Sequence, residues 1–206
     1  MLARLRLMKM DTAETRDDRQ LVEASRSGDS SAFEELVRRK TGKIFGLCCR
    51  ILGNREDAKD VAQLVFVKLW ENLGKYDAGY AFDTWLYRMT SNVAIDFIRG
   101  RQSRDATLNS SLRLVKTSED PGQGRDIQHK EVEAVFEQVS KALSPKQKTI
   151  FVMHAMEDLQ LAEIARILGT KESTVRNHLF NARKTMQKEL RRRFPEYASL
   201  WKENEA

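Results

Sequence analysis

No proline interrupts the first 120 residues of this 206-residue chain; the three that occur stand at 121, 145 and 195. Across the same stretch apolar side chains return every three or four residues, which is the period of one helix face and not the alternation of a strand. With only 10 glycines besides, the sequence is expected to be all-α, and a turn-rich β-sandwich is disfavoured. At 31–52 the stripe is Phe33, Leu36, Val37, Ile44, Phe45, Cys48, Ile51 and Leu52. Ser31 and Glu34 have the form of a capping box at its start, and Cys48 reads as a packed thiol. Gly53-Asn54 ends that helix and caps the next, expected over 54–73 with Val61, Leu64, Val65, Leu69 and Leu73 inward.

A loop at 74–81 follows, and Asp83 or Thr84 can cap a third helix running to about residue 104, with Leu86, Met89, Val93 and Phe97 buried. Residues 102–130 lose the apolar period and carry Asn109-Ser-Ser111 and Asp120-Pro-Gly-Gln-Gly124. So long an unpatterned stretch inside one compact unit is unusual, and it marks a boundary between two domains. Beyond it, Val132, Val135, Phe136, Val139 and Leu143 outline a helix, and Ser144-Pro-Lys-Gln147 opens another with Ser at the cap and Pro at its first position. The organisation expected is an N-terminal arm at 1–17, a helical domain at 18–104, an extended linker at 105–130, a second helical domain at 131–194 and a tail at 195–206.

The longest run without Lys, Arg, Asp or Glu is the eight residues 149–156, far short of the roughly 20 needed to cross a bilayer. Arg4, Arg6 and Lys9 break the first ten residues too often for a signal-peptide core, so a cytoplasmic protein is expected. Cys48 and Cys49 are adjacent and His129, His154 and His178 are scattered, which offers neither a metal-ligand spacing nor a disulfide framework. His154 reads as a packed or half-exposed histidine. No phosphate-binding glycine loop, motif carboxylate pair or activated nucleophile is present, so no enzyme and no cofactor are expected.

Charge is informative by its place. Between Arg166 and Arg193 stand nine basic residues and two acidic ones, an excess larger than the net +6 of the whole chain. A polyanionic partner for that end follows from counterion release, although a solvated helix face has the same composition. The segment 161–188 has two short helical patterns around Gly169-Thr170-Lys171, with Ala165, Gly169 and Val175 at the offsets of a helix-turn-helix. Ala165 lets the helices approach, Gly169 supplies the turn, and Val175 joins the core with Ile164, Leu168 and Leu179. The outward positions of the second helix are Glu172, Arg176, Asn177, Phe180, Arg183 and Lys184, suited to base edges and phosphates in a major groove.

Two further stripes mix chemistries. Asp60, Gln63, Phe66, Val67 and Trp70 follow one another at helical spacing, as a docking surface would, or as aromatic groups that cover a neighbouring helix. Trp85, Arg88, Asn92, Asp96 and Arg99, with Arg101 and Arg104 beyond and Tyr76, Tyr80 and Phe82 just upstream, combine stacking, phosphate and base-edge groups as single-strand binding does. A core Trp85 beside a solvated arginine edge has the same spacing.

From about Asp18 to Arg193 the chain resembles the extracytoplasmic-function group of bacterial sigma factors. Three stretches carry the resemblance: Asp57-Ala-Lys-Asp60-Val-Ala-Gln63-Leu-Val-Phe66-Val-Lys-Leu-Trp70; Phe82-Asp-Thr-Trp85-Leu-Tyr-Arg88 through Asn92 to Asp96-Phe-Ile-Arg99; and Leu143-Ser-Pro through Ile164-Ala-Arg-Ile-Leu-Gly169 to Val175 and Ala182-Arg183. It implies a helical bundle of sigma region 2 and a helix-turn-helix of sigma region 4. By the same resemblance Asp57, Asp60, Gln63, Phe66, Val67 and Trp70 would meet core RNA polymerase, at its beta-prime clamp, with the beta flap as a further contact. Tyr80, Phe82, Trp85, Arg88, Asn92, Asp96, Arg99 and Arg101 would meet the opening minus-ten element of promoter DNA. Lys171, Glu172, Thr174, Arg176, Asn177, Phe180, Arg183 and Lys184 would approach the minus-thirty-five duplex. Control by an anti-sigma factor and a stress or envelope regulon are implied as well.

The chain departs from the pattern at Lys171-Glu172-Ser173-Thr174, where the family usually has Ser-Glu-Gly-Thr, so that Thr170 would supply the cap. It departs again at Leu64-Val65, where an acid is common. On the residues alone, an operator-binding regulator and an all-helical adaptor with a basic tail for RNA or anionic membrane remain rivals; the adaptor would bind without sequence preference and with a steep salt slope.

Overall fold

The computed structural model describes residues 16–108 and 127–197; the expectations for Pro121 and for most of the arm, linker and tail lie outside them. Among the described residues the chain forms eight α-helices and no strand: α1 (Asp18–Arg26), α2 (Ser30–Leu52), α3 (Arg55–Asn72), α4 (Phe82–Leu108), α5 (Ile127–Ser140), α6 (Pro145–Ala155), α7 (Leu161–Leu168) and α8 (Glu172–Arg193). Short 3-10 turns follow α3 at Leu73–Lys75 and α8 at Pro195–Tyr197.

Helix ends follow local chemistry. Asp17 caps α1 in a capping box with Gln20, a signal present in the sequence for a helix that its short apolar content does not announce. The cap of α2 is Asp29, whose carboxylate accepts from the Ala32 amide. Ser31 instead donates to Asp29 at 2.6 Å, because Asp29 stands one residue before the first helical position and reaches the free amides first. That hydroxyl, with the Arg16 guanidinium, pulls the Asp29 carboxyl down to about 2. Gly53 closes α2 at φ 69°, and Asn54 caps α3, both as expected from the sequence. Ser144, Pro145 and Gln147 open α6 with the expected capping box.

α4 begins at Phe82, ahead of both expected caps, since the Asp83 carboxylate turns away to Lys43 (2.9 Å) and Lys40 instead of capping. α4 also continues past Gly100 to Leu108 and α5 starts at Ile127, so the region expected to be extended is helical at both ends. The apolar period gives no signal there: residues 101–104 and 131–134 are exposed, and Gly100 has open space beside it.

α2, α3 and α4 pack together with α1 against α2; α6, α7 and α8 form the second unit with α5 against α8. The two units share one continuous core, because α4 also packs on α6 and α7. At 100° per residue, the buried and half-buried positions of α4 cover about two-thirds of its circumference. One side carries Leu86, Val93 and Phe97; the other carries Tyr87, Ser91, Ala94 and Ile95. The small residues of the second side let helices approach closely, and the hydroxyls of Thr90 and Ser91 are satisfied by their own helix, at Leu86 O (2.8 Å) and Tyr87 O (2.7 Å).

Two expected core positions, Leu64 and Val132, are exposed; Leu143 is in the core as expected, although α5 ends before it. The buried face of α3 is formed by Ala58, Val61, Ala62, Val65 and Leu69, and Leu64 falls at its margin.

Lys148 is the least expected member of the core. Burial in α6 pushes its ammonium down to about 8, although Glu137 acts the other way, and it lies 6.0 Å from the Phe136 ring centroid. Below pH 8 both folded and unfolded chains carry this proton and the folded state bears the full desolvation cost; between 8 and 10.5 the folded state sheds it and stability rises. Lys148→Met should therefore raise the stability of the folded chain at pH 7 by about 1–2 kcal/mol. The gain should shrink as pH approaches 10.5, as read by chemical denaturation of both proteins across that range.

Candidate nucleic-acid interface and docking face

Along α3, a face of Asp60, Gln63, Leu64, Val67 and Trp70 is exposed. Val67 is 48% and Trp70 50% accessible, while Phe66 is half-buried. Trp70 also sets its ring edge against Phe33 of α2, 4.8 Å between centroids. Trp70 thus packs on α2, as one sequence reading of this stripe expects, while the face keeps the exposed apolar surface that the other reading needs. Leu64, Val67 and Trp70 each keep close to half their surface in water, so covering Leu64 or Val67 would gain about 1 kcal/mol each, which a partner on this face could supply. Asp57, at the first turn, is half-buried and pairs with Arg101 near the end of α4. One end of the docking stripe and one end of the nucleic-acid stripe are therefore joined by an ion pair.

The exposed third of α4 carries Arg88, Asn92, Asp96 and Arg99, with Trp85 half-buried at its margin. Arg99 lies 4.0 Å from Asp96 in a loose pair that leaves the guanidinium accessible. In the preceding loop Tyr80 is 56% exposed. Phe82 differs from expectation: it is 5% exposed and belongs to an aromatic cluster with Tyr76 (5.6 Å) and Trp85 (6.2 Å). It takes the core place because α4 starts at this residue and its first inward position falls there. Tyr76 is buried too and donates its hydroxyl to the Tyr80 carbonyl at 2.6 Å. Buried aromatics thus hold the exposed one at the loop's rim. A groove of about 490 Å³ lies beside it, lined by Asp18, Arg19, Tyr76, Tyr80 and Asp83 among others.

The helix-turn-helix forms as its spacing requires: Ala165 is buried between α7 and α8, Gly169 takes φ 61°, and Val175 is fully buried. α8 begins at Glu172 with Lys171 at the cap position, where no side chain caps, so Thr170 does not supply one. Lys171, Glu172, Arg176, Asn177, Phe180, Arg183 and Lys184 are exposed, and Thr174 is half-buried. Phe180, 66% exposed, has no core role. Arg176 is held by Glu172 at 2.8 Å, an exposed pair weak enough to yield to a base or phosphate.

Sequence reasoning missed the residues that join these faces. Glu157, in the turn after α6, has 9% of its side chain exposed; one carboxylate oxygen pairs with Arg50 of α2 and the other accepts from the Tyr87 hydroxyl of α4 at 3.0 Å. Burial, with the Glu157 charge beside it, drives the Tyr87 phenol well above its ordinary range, which keeps the donor proton in place. The next residue, Arg88, lies against the Gly169 turn, 3.3 Å from where a Cβ would stand. A side chain at 169 would press on that guanidinium and, at φ 61°, strain the turn. The signal available in the sequence was the second α4 stripe of Tyr87, Ser91 and Ile95, offset from the first. Cys48 is buried and its thiol is pushed up to about 12, so it takes no part in surface chemistry. Among the described residues no group of three or more His, Cys, Asp or Glu is placed to hold a metal ion, and no helix is long and apolar enough to cross a membrane.

Residues 36–104 match the family model for sigma-70 region 2 and residues 135–186 that for sigma-70 region 4. The chain is 34% identical to the RNA polymerase sigma-H factor of Pseudomonas aeruginosa over 182 residues, 84% of this chain and 93% of that protein. It is 30% identical to the sigma factor SigW of Bacillus subtilis over 177 residues, 82% and 95%. Two solved structures share the fold, each at a TM-score of 0.60. One is CnrH in complex with the cytosolic domain of CnrY, 23% identical, covering 86% of this chain and 99% of that one. The other is the sigma factor RpoE bound to the anti-sigma factor NepR from Bartonella quintana, 16% identical, covering 77% and 96%.

The Glu157 contacts should be energetically coupled across the two units. In a double-mutant cycle by chemical denaturation, Glu157→Gln and Arg50→Met should show a coupling of about 1 kcal/mol or more, discounted for the partial exposure of Arg50. Strict additivity would contradict it.

Proposed function

The chain belongs to the extracytoplasmic-function group of sigma-70 factors, and from that premise we propose how its surfaces divide the work of transcription initiation. The α3 face of Asp60, Gln63, Phe66, Val67 and Trp70 docks on the clamp of the beta-prime subunit. The α4 stripe of Arg88, Asn92 and Arg99, with Tyr80 and Trp85, receives the minus-ten strand as it opens. α8 presents Arg176, Asn177, Phe180 and Arg183 to the minus-thirty-five duplex. The single observation that carries this division is the coincidence of exposure with the mixed stripes: on α3, α4 and α8 the accessible third is the one whose chemistry suits a partner.

The mechanism needs no covalent step. Stacking of an unpaired base contributes about 1–3 kcal/mol, enough to offset the unstacking of the step it leaves. Tyr80 is the exposed ring for that stacking, braced by Tyr76 and Phe82 beneath it. Positive charge along α8 steers the duplex and sets register through phosphates, while Arg176 and Asn177 read base edges.

Reading both elements requires the two units to part. Sites 25 base pairs apart stand about 85 Å from each other along B-DNA, whereas here Arg88 of the melting helix touches the Gly169 turn of the duplex reader. The eighteen residues joining Leu108 to Ile127 reach about 60–65 Å when extended, and the units' own dimensions supply the rest. The packed arrangement is thus the form off the promoter, and polymerase binding opens it. A protein that held the packed form closed would silence it. On that ground, and by likeness to the Bartonella sigma factor held by its anti-sigma factor, we assign the chain an anti-sigma partner and a place in the cytoplasm with the polymerase.

Run-off transcription with core RNA polymerase and genomic fragments, with and without this protein, tests the reading: new starts sharing two upstream elements are expected. DNA binding without new starts would favour an operator-binding regulator. Within that assay, Arg176→Ala should relax discrimination at the upstream element by roughly 1–3 kcal/mol. Phe66→Ala with Trp70→Ala should abolish binding to core polymerase in a quantitative pull-down while leaving duplex binding by α8 intact.

A further inference from the structure

Behind the Tyr80 loop stands a charged cluster that neither the docking face nor the DNA faces use. Lys40 of α2 is buried, with its ammonium paired to Asp18 at the start of α1 and 2.7 Å from an Asp83 carboxylate oxygen at the start of α4. The same ammonium lies 5.7 Å from the centroid of the Phe82 ring. Lys43 completes the set at 2.9 Å from the other Asp83 oxygen. Taking an ammonium out of water costs several kcal/mol unless carboxylates repay it, and an apolar side chain would fill the same space at less cost. The two carboxylates do repay it here: desolvation alone would depress the Lys40 ammonium, yet it stands above its ordinary range, and the Asp83 carboxyl stands below its own.

Two of the three elements that Lys40 ties together, α1 and the start of α4, line the groove beside Tyr80, with the 76–81 loop between them. α1 supports the loop from behind, with Arg26 donating to the Gly74 carbonyl at 3.3 Å and Arg19 to the Ala78 carbonyl. Phe82 and Asp83 anchor the loop's far end in α4. Asp18 and Asp83 both line the groove. Among the described ion pairs, Lys40 is the one side chain that contacts both α1 and α4; Arg39 lies 3.8 Å from Asp18 and Lys43 2.9 Å from Asp83, each serving a single carboxylate. Without its charge no cation bridges the two carboxylates, their mutual repulsion is less screened, and α1 with the loop it braces loses its direct tie to α4.

We infer that Lys40 is a positioning residue for base capture, holding Asp18 and Asp83 so that the groove between α1 and the 76–81 loop keeps the width an unpaired base fills. This rests on the reading above in which the Tyr80 loop captures that base. The geometry touches no nucleotide through Lys40 itself; its effect reaches DNA through the spacing of its two partners.

The test uses the full chain assembled with core RNA polymerase, and as probe the single non-template strand of a promoter mapped by the run-off starts. An abasic site walked through that strand identifies the captured position as the largest loss of affinity. The readout is the ratio of affinities for the intact strand and for the strand abasic at that position, expected to be tenfold or more in the unmodified protein. Lys40→Met should collapse the ratio to about twofold or less while affinity for core polymerase and for the upstream duplex stays unchanged; Lys40→Arg should restore most of it. A Lys40→Met holoenzyme that keeps the ratio, whatever its melting temperature, overturns the inference. If that variant does not assemble, Asp18→Asn, which cuts only the tie to α1, must lower the ratio at least threefold, and an unchanged ratio overturns the inference equally. Tyr80→Ala separates the two levels: if it too leaves the ratio intact, the capture loop has been misplaced; if it alone collapses the ratio, only the role of Lys40 fails.

Discussion

A helix buried on two sides organises this molecule. α4 packs on α2 and α3 of the N-terminal bundle and on α6 and α7 of the C-terminal unit, burying Leu86, Tyr87, Ser91, Val93, Ala94 and Ile95 along its length. What remains exposed is a narrow stripe, and that stripe holds the residues suited to an opening DNA strand. The flank packed into the N-terminal bundle stays packed when the units part, and it fixes the helix that carries the stripe, which is what recognition of successive bases requires. The second flank differs in kind from the first. It is lined by small residues and closed by one carboxylate, Glu157, answering to Arg50 and Tyr87. An interface of this sort is specific in register and modest in energy, since the desolvation of its charges offsets much of their attraction. It can hold two units together and release them to a larger partner.

Charge serves two purposes here, and the difference lies in burial. The arginines and lysines of α8 are exposed, where their charge is free to attract a polyanion at a distance. Lys40 and Glu157 are enclosed, each contacting two groups on other helices, and act by fixing geometry. Lys148 belongs to neither class: it is enclosed without a carboxylate in contact, and its depressed basicity records that cost.

Much of the helical order was legible because its determinants are local. Gly53 with Asn54, Ser144 with Pro145 and Gln147, and Ala165 with Gly169 and Val175 act within a turn or two of themselves, and each does in the structure what its chemistry requires. The departures arise where a distant partner decides. Asp83 is a good capping residue on paper, but two lysines of α2 lie closer to its carboxylate than any free amide does. Phe82 looked like an exposed ring because a loop precedes it; Tyr76 and Trp85 draw it inward. Leu64 has the right spacing for the core, yet it falls at the margin of the buried face of α3. Glu157 and Arg50 are 107 residues apart, and no periodicity links them.

The account turns on one claim: the packed form is the form off the promoter, and the units part when polymerase and DNA are engaged. The most direct measurement is the distance between fluorophores placed through non-native residues at Lys59 of α3 and Lys188 of α8, both exposed. It would be taken for the free chain, the holoenzyme and the promoter complex. The expected result is a single short distance in the free chain that lengthens by tens of ångströms in a transcribing complex. A complex that transcribes with the short distance unchanged would contradict the account.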